Sequence, residues 1–245
     1  MAPHSQRLHA TISLAQKRLA TLIHEVWFHP RLSELYPEFL FAMYGITATS
    51  APAMRAAARR CSEAGKGDPL GPWLRDYYLE HAAEEENHGE WLLADLGTFG
   101  LGRERILERL PYPGVAALVG SQYYWMQHVH PIAYLGYIAV LEAPAQMEFL
   151  QEVSYRAGIP LASMSCHVRH AELDPGHVAA FDATLDSLCL TELHRDLIAV
   201  SAITTIGHLE RVFMEILEHF ERICHPVSAA TIFTAGGAAL VSTGV

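Results

Sequence analysis

The string HAELDPGH sets His170, Asp174 and His177 four and three residues apart. On an α-helix, residues three, four or seven apart share a face. Upstream, LEHAAEEENHGEW holds His81, Glu84, Glu85 and His88 at spacings that obey the same rule. Imidazole together with carboxylate suits iron, manganese or zinc. Two such faces closing on one another are how carboxylate-bridged metal pairs are built in helical bundles. The two clusters lie about ninety residues apart in sequence, so only the fold can bring them together.

Each cluster also has a plainer reading. EHAAEEENHGE could be a solvated acidic face, as most such runs are. However, Tyr77, Leu92 and Leu96 continue the face that holds His81, Glu84 or Glu85, and His88, which predicts partial burial. Glu86 and Glu90 point away and read as surface carboxylates. Spacing alone does not separate Glu84 from Glu85. Asp174 before Pro175 reads as a helix N-cap with proline at the first helical position. That accounts for the aspartate but not for the histidines flanking it. Glu142 follows PIAYLGYIAVL, eleven residues without a charge. A carboxylate there is costly to bury unless paired or bound to metal; otherwise it marks an exposed helix end before Pro144. His128 and His130 fall on different helical faces and do not read as a ligand pair. The run Tyr123, Tyr124 and Trp125 reads as core, and His24, His208 and His219 as structural or surface residues.

The elements that must position these groups all read as helices. Apolar residues recur every three or four positions from about Leu8 to Phe28, up to the break at His29-Pro30. A second helix is predicted from Leu32 to about Thr49, and a third over APAMRAAARRC, whose small residues allow close packing. SEAGKGDPLGP reads as a loop. Pro72 then opens one helix that carries the whole first cluster and ends near LGTFGLG. RERILERL is a short charged helix, followed by the turn PYPG. VAALVGSQYYWMQHVHP is interrupted at Pro131, and the helix resumes as IAYLGYIAVLEA. QMEFLQEVSYRA closes at Gly158. Pro160 opens the helix that carries His170, and Pro175 kinks or restarts it. Thr191 caps a last helix reaching about Cys224. No period-2 strand, glycine-rich phosphate loop or internal repeat is visible.

Bulk properties bound the function. The chain has 245 residues and a formal charge of −10 with histidines neutral. That charge disfavours nucleic acid, which needs a basic footprint. Lys17 and Lys66 are the only lysines, which leaves two candidates for any active-site lysine. Four cysteines without a CxxC pair or zinc-finger spacing fit reduced thiols in a cytoplasmic protein. The N-terminus lacks the apolar region of a signal peptide. From Ile223 onward no Asp, Glu, Lys or Arg occurs. With Pro226, Gly236 and Gly237, this stretch reads as a tail rather than a membrane span. We therefore expect one domain over 1–225 and an uncharged tail over 226–245.

The run H-x2-EE-x2-H followed by EWLLADL, then HPIAYLGYIAVLEA, then H-x3-D-x2-H, resembles the iron-containing redox enzymes, also called haem-oxygenase-like di-iron oxidases. The likeness spans roughly Leu32 to Phe220. It implies a single all-α, haem-oxygenase-like bundle of about seven or more helices, holding two irons per chain, one of them labile. Carried over by position, His170, Asp174 and His177 match the family's C-terminal ligand triplet, Glu142 its middle carboxylate, and His88 its first-half histidine. Many relatives place a glutamate seven residues before that histidine, where this chain has His81. Others place one three before it, matching Glu85. The glutamate that some relatives take from the preceding helix has no counterpart, because Gly45 to Ser62 contains no acidic residue. The branch that consumes its own tyrosine and lysine is disfavoured, since no lysine follows Lys66.

The resemblance further implies O2 as cosubstrate and a small-molecule substrate, with an electron donor and a homodimer as candidate partners. The expected activity is that of an O2-dependent oxidase or oxygenase acting on a small amino acid or amine in specialised metabolism. N-oxygenation, C–C cleavage and desaturation are all open. The rival readings are a haem-binding enzyme, or a cofactorless thiaminase-like or quinone-forming enzyme of the same fold, and a non-catalytic iron-binding protein.

Overall fold

The computed structural model describes residues 2–63, 67–142 and 146–225, without the side chains of 173–175. The described residues form eleven α-helices and no strand. In order they are α1 (His4–Ala15), α2 (Lys17–Trp27), α3 (Leu32–Glu63), α4 (Gly71–Glu84), α5 (His88–Thr98), α6 (Arg103–Leu107), α7 (Pro113–His128), α8 (Tyr134–Leu141), α9 (Met147–Ala157), α10 (Ser165–Ser187) and α11 (Glu192–Cys224). A 3₁₀ turn, Pro131–Ala133, joins α7 to α8.

Two long helices organise the rest. α3 packs against α4, α5 and α7, while α11 packs against α1, α2, α7 and α8. α3 earns its place twice over. Its first half buries large side chains, among them Leu35, Tyr36, Phe39 and Leu40, and its second half buries Ala51, Ala53, Ala56, Ala57 and Ala58. The small residues let α4 and α5 approach closely. α10 closes the bundle against α1, α5 and α9. One glycine decides where α8 lies. A Cβ on Gly136 would sit 2.1 Å from the Ile198 carbonyl oxygen of α11, so α8 crosses α11 nearly backbone to backbone. That crossing fixes the end of α8 and therefore Glu142.

Several boundaries differ from the sequence-based expectation. The helix expected over Leu8 to Phe28 is two helices that meet at Gln16. Leu8, Ile12, Leu19, Leu22 and Val26 are buried on both sides of the joint, so the apolar period runs through it. The two helices expected over 32–49 and 51–61 are one, with Pro37 and Pro52 inside it. Proline removes one backbone hydrogen bond, and here the buried alanines around Pro52 hold the helix together. The single helix expected for the first cluster breaks between Glu84 and His88. α10 is continuous through position 175, so Pro175 does not restart it and Asp174 is not an N-cap. Other expectations agree: Gly158 ends α9 with φ 67°, and Thr191 caps α11 in a reciprocal capping box with His194. α11 is long and apolar enough to cross a membrane, yet half of its most apolar stretch is buried in the bundle, as core helices are. The tail over 226–245 lies outside the described residues.

Candidate metal centre

The helix break after Glu84 decides the geometry of the site. On an uninterrupted helix His81 and His88 would stack on one face about 10 Å apart. Instead, Glu85, at the end of α4, and Asn87, before α5, turn the chain. His81 then faces the end of α8, and His88 faces α10. Two groups of donor atoms result, each with all its atoms within 4.8 Å of one another: Glu85, His88 and His170; and His81, Glu85 and Glu142. Glu85 belongs to both. We call the first the inner group and the second the outer group.

In the inner group, His88 is 3% exposed. Its Nδ1 lies 3.0 Å from Glu85 Oε1, yet it has no aligned hydrogen-bond partner. A buried ring nitrogen close to a carboxylate oxygen but off the line of a hydrogen bond is what two donors to a common ion present. His170 shows the complementary feature. Its Nδ1 lies 2.8 Å from the Cys166 carbonyl oxygen, which can only accept. Nδ1 therefore carries the proton and Nε2 keeps its lone pair for a ligand. The His88 and His170 rings meet edge to face at 4.9 Å, and Trp91 stacks on His88 at 4.1 Å.

In the outer group, His81 Nε2 lies 3.0 Å from Glu142 Oε1 and Nδ1 lies 3.2 Å from Glu84 Oε2. His177 Nδ1 lies 3.7 Å from Glu142 Oε2. Tyr77 stacks on His81 at 5.7 Å. Burial opposes protonation of His81, but the bond to Glu142 and the charges of Glu142, Glu85 and Glu84 outweigh it and raise its pKa. Burial pushes Glu85 the other way, yet His88, His170 and His81 hold it below the usual carboxylate range. Glu85 is thus an ionised carboxylate between two imidazole-bearing groups. This donor set suits a pair of divalent ions.

Of the residues singled out by sequence, His81, Glu85, His88, Glu142, His170 and His177 converge here, while the Asp174 side chain lies outside the described residues. Glu84 stands behind His81 rather than between the groups. Glu86 pairs with Arg55, and Glu90 with Arg103 at 2.5 Å, both exposed. His130 does structural work: its Nδ1 accepts from the Ile132 N–H at 3.1 Å and its Nε2 lies 3.2 Å from Asp68.

Four participants were missed. Asp95, buried in α5, holds the start of α10. His167 sits among Trp27, Tyr36 and Phe39, where burial and the neighbouring His170 depress its pKa to about 4. Thr47 and Ser50 put hydroxyl-bearing residues on the wall of a cavity of about 200 Å³ beside Glu85, Glu142 and His170. Asp95 could have been found, since WLLADLG embeds a lone acid in an apolar run just as PIAYLGYIAVL precedes Glu142. Nothing in the sequence marks the other three.

The profile of the family described as "Iron-containing redox enzyme" matches residues 37–206, a span that includes both donor groups. The chain belongs to this family. Solved structures place the same family member in a common fold. A domain of unknown function with a heme oxygenase-like fold from Shewanella denitrificans superposes with a TM-score of 0.72 at 19% identity, covering 92% of this chain and 93% of that one. A TenA homolog from Pseudomonas syringae pv. tomato gives 0.65 at 13% identity, covering 88% and 93%. A TenA homologue from P. horikoshii gives 0.59 at 16%, covering 89% and 99%. At these identities the likeness shows the haem-oxygenase-like fold alone. No curated protein matches the chain.

Proposed function

We propose that this chain is an O2-dependent non-haem di-iron oxidase or oxygenase acting on a small amine or amino acid. One observation carries the reading: Glu85 is common to two groups of donor atoms, the position a bridging carboxylate needs. Glu85, His88 and His170 would hold one iron. His81, Glu85 and Glu142, with His177 in reach, would hold the other, and Asp174 joins them by family resemblance. Iron(II) bound there would supply electrons to O2.

The chain's own residues bind and orient the substrate. The cavity beside Glu85, Glu142 and His170 is walled by Met43, Ile46, Met54, Leu92, Tyr137 and Leu141, with the hydroxyl-bearing residues Thr47 and Ser50. Its volume of about 200 Å³ is below the ~300–1,000 Å³ of drug-sized sites, which favours a small substrate. Among the described residues, no Lys or Arg lines it. A free carboxylate buried there would meet no cation among these described lining residues, so the lining favours an amine over an amino acid. The apolar wall suits the hydrocarbon part of such a substrate, and Thr47 and Ser50 can orient a polar substituent.

A specific contact bears on the rival cysteine-dependent reading. Cys166 lines the same cavity, with Sγ 3.6 Å from His170 Nδ1. That nitrogen already holds a proton, donated to the Cys166 carbonyl, so it cannot take one from the thiol. The deciding experiment loads the protein anaerobically with iron(II), counts iron per chain, and follows O2 consumption on addition of small amines and amino acids. Two irons and substrate-dependent O2 uptake are expected. Iron without turnover would leave a binding protein, and uptake of zinc alone would sink the reading.

A further inference from the structure

Asp95 lies in α5, two turns beyond His88, and is 1% exposed. Both of its carboxylate oxygens are occupied. Oδ1 accepts from the Ser165 backbone N–H at 3.0 Å and from the Ser165 hydroxyl at 2.6 Å. Oδ2 accepts from the Cys166 backbone N–H at 3.0 Å. These are the first two residues of α10, where backbone N–H groups lack helical partners and the helix dipole favours negative charge. The residue at the N-cap position, Met164, makes no capping bond. The cap is supplied from a different helix.

The bonds continue to the candidate metal centre. Cys166, held by Asp95 through its N–H, accepts the Nδ1–H of His170 at its carbonyl oxygen, 2.8 Å away. Asp95 thus ties the helix carrying His88 to the helix carrying His170, through the peptide that orients the His170 ring. We propose that Asp95 is the positioning residue of the inner group: it fixes α10 against α5 so that His170 Nε2 and His88 face Glu85 together. This inference rests on the metal reading above.

The molecule contains its own control. Glu215, buried in α11, caps α7 by the same chemistry, accepting from the Gly114 N–H at 2.7 Å, but α7 carries no candidate ligand. The test titrates wild type, Asp95→Ala, Asp95→Asn, Ser165→Ala and Glu215→Ala anaerobically with iron(II), counting bound iron per chain. Cobalt(II) absorption reports coordination, and thermal melts report stability.

Asp95→Ala is expected to weaken the inner site about tenfold to a hundredfold and to alter its cobalt spectrum. Asp95→Asn falls between it and wild type, because it keeps an acceptor for Ser165 and loses the one for Cys166. Glu215→Ala lowers the melting temperature without changing either metal readout. If Asp95→Ala fails to fold, Asp95→Asn and Ser165→Ala carry the same comparison. Wild-type affinity in the Asp95 variants, or an equal loss of affinity in Glu215→Ala, overturns the positioning role alone. A wild type that takes up no metal overturns the metal reading and this inference with it.

Discussion

The two donor groups share Glu85 but are held in different ways. In the inner group, His88 is the first residue of α5 and His170 lies in the second turn of α10, one ring stacked on Trp91 and the other bonded to the Cys166 carbonyl. The outer group takes its donors from the C-terminal ends of two helices. His81 lies in the last turn of α4, and Glu142 is the residue that ends α8. A carboxylate at a helix C-terminus meets the negative end of the dipole, so Glu142 gains most when a cation stands beside it. Its neighbours are also more open: the His177 side chain is 26% exposed and that of Glu84 is 47% exposed. The inner group is therefore the more closely packed, and on the proposed reading a cation would complete the outer one. If the proposed pair of irons binds there, this difference would let the inner one bind tightly and leave the outer one labile.

The sharpest test of that contrast is the shared carboxylate. Glu85→Ala should cost both irons and reduce O2 consumption to background, measured by elemental analysis and an oxygen electrode. His170→Ala, with Asp174→Ala and His177→Ala beside it, should abolish the oxygen reaction while the circular dichroism stays helical. Retention of two irons in Glu85→Ala would break the comparison at its root.

Next in size, His81→Ala and Glu142→Ala should each lose one iron and keep the other, while His88→Ala should empty the inner site. Identical metal loss from the His81 and His88 variants would show that the groups are not distinct. Glu84→Ala should keep both irons and weaken only the outer one, by about tenfold, as expected when a group that orients a histidine ligand is removed.

The outer group should also respond to pH. The raised pKa of His81 means that a metal ion must displace its proton, so outer-site affinity falls as the pH drops through that pKa. In the metal-free protein the sign is opposite. A folded-state pKa above the unfolded value stabilises the fold below about pH 6.5, and the benefit is lost as the pH rises through the folded value. Metal-free His81→Ala should therefore melt below wild type at pH 6, with the gap closing at pH 9. His167 behaves the other way. With its pKa held at about 4, the unfolded chain takes up protons first, and stability falls as the pH drops from about 6.5 toward 4. His167→Phe should flatten that fall in a pH series of thermal melts. The smallest effects belong to Glu86→Ala and Glu90→Ala, whose exposed ion pairs with Arg55 and Arg103 are worth about 0–1 kcal/mol and should leave metal content and O2 uptake unchanged.

The sequence by itself determined the helical class and the candidate ligands. A period of three to four is a local property, as are the cap at Thr191 and the stop at Gly158, so each is legible along the chain. A carboxylate after eleven uncharged residues likewise announces Glu142. Only the tertiary structure decided how those residues divide. Apolar spacing runs unchanged through Gln16 and through the buried alanines around Pro52, so a joint and a continuous helix read alike there. The turn after Glu84 sends His81 and His88 to different partners, and it depends on what α8 and α10 offer across the bundle. Asp95 and His167 owe their roles to contacts with residues about seventy and one hundred and thirty positions away. No local pattern records such contacts, because they are set by which helices the closed core brings side by side.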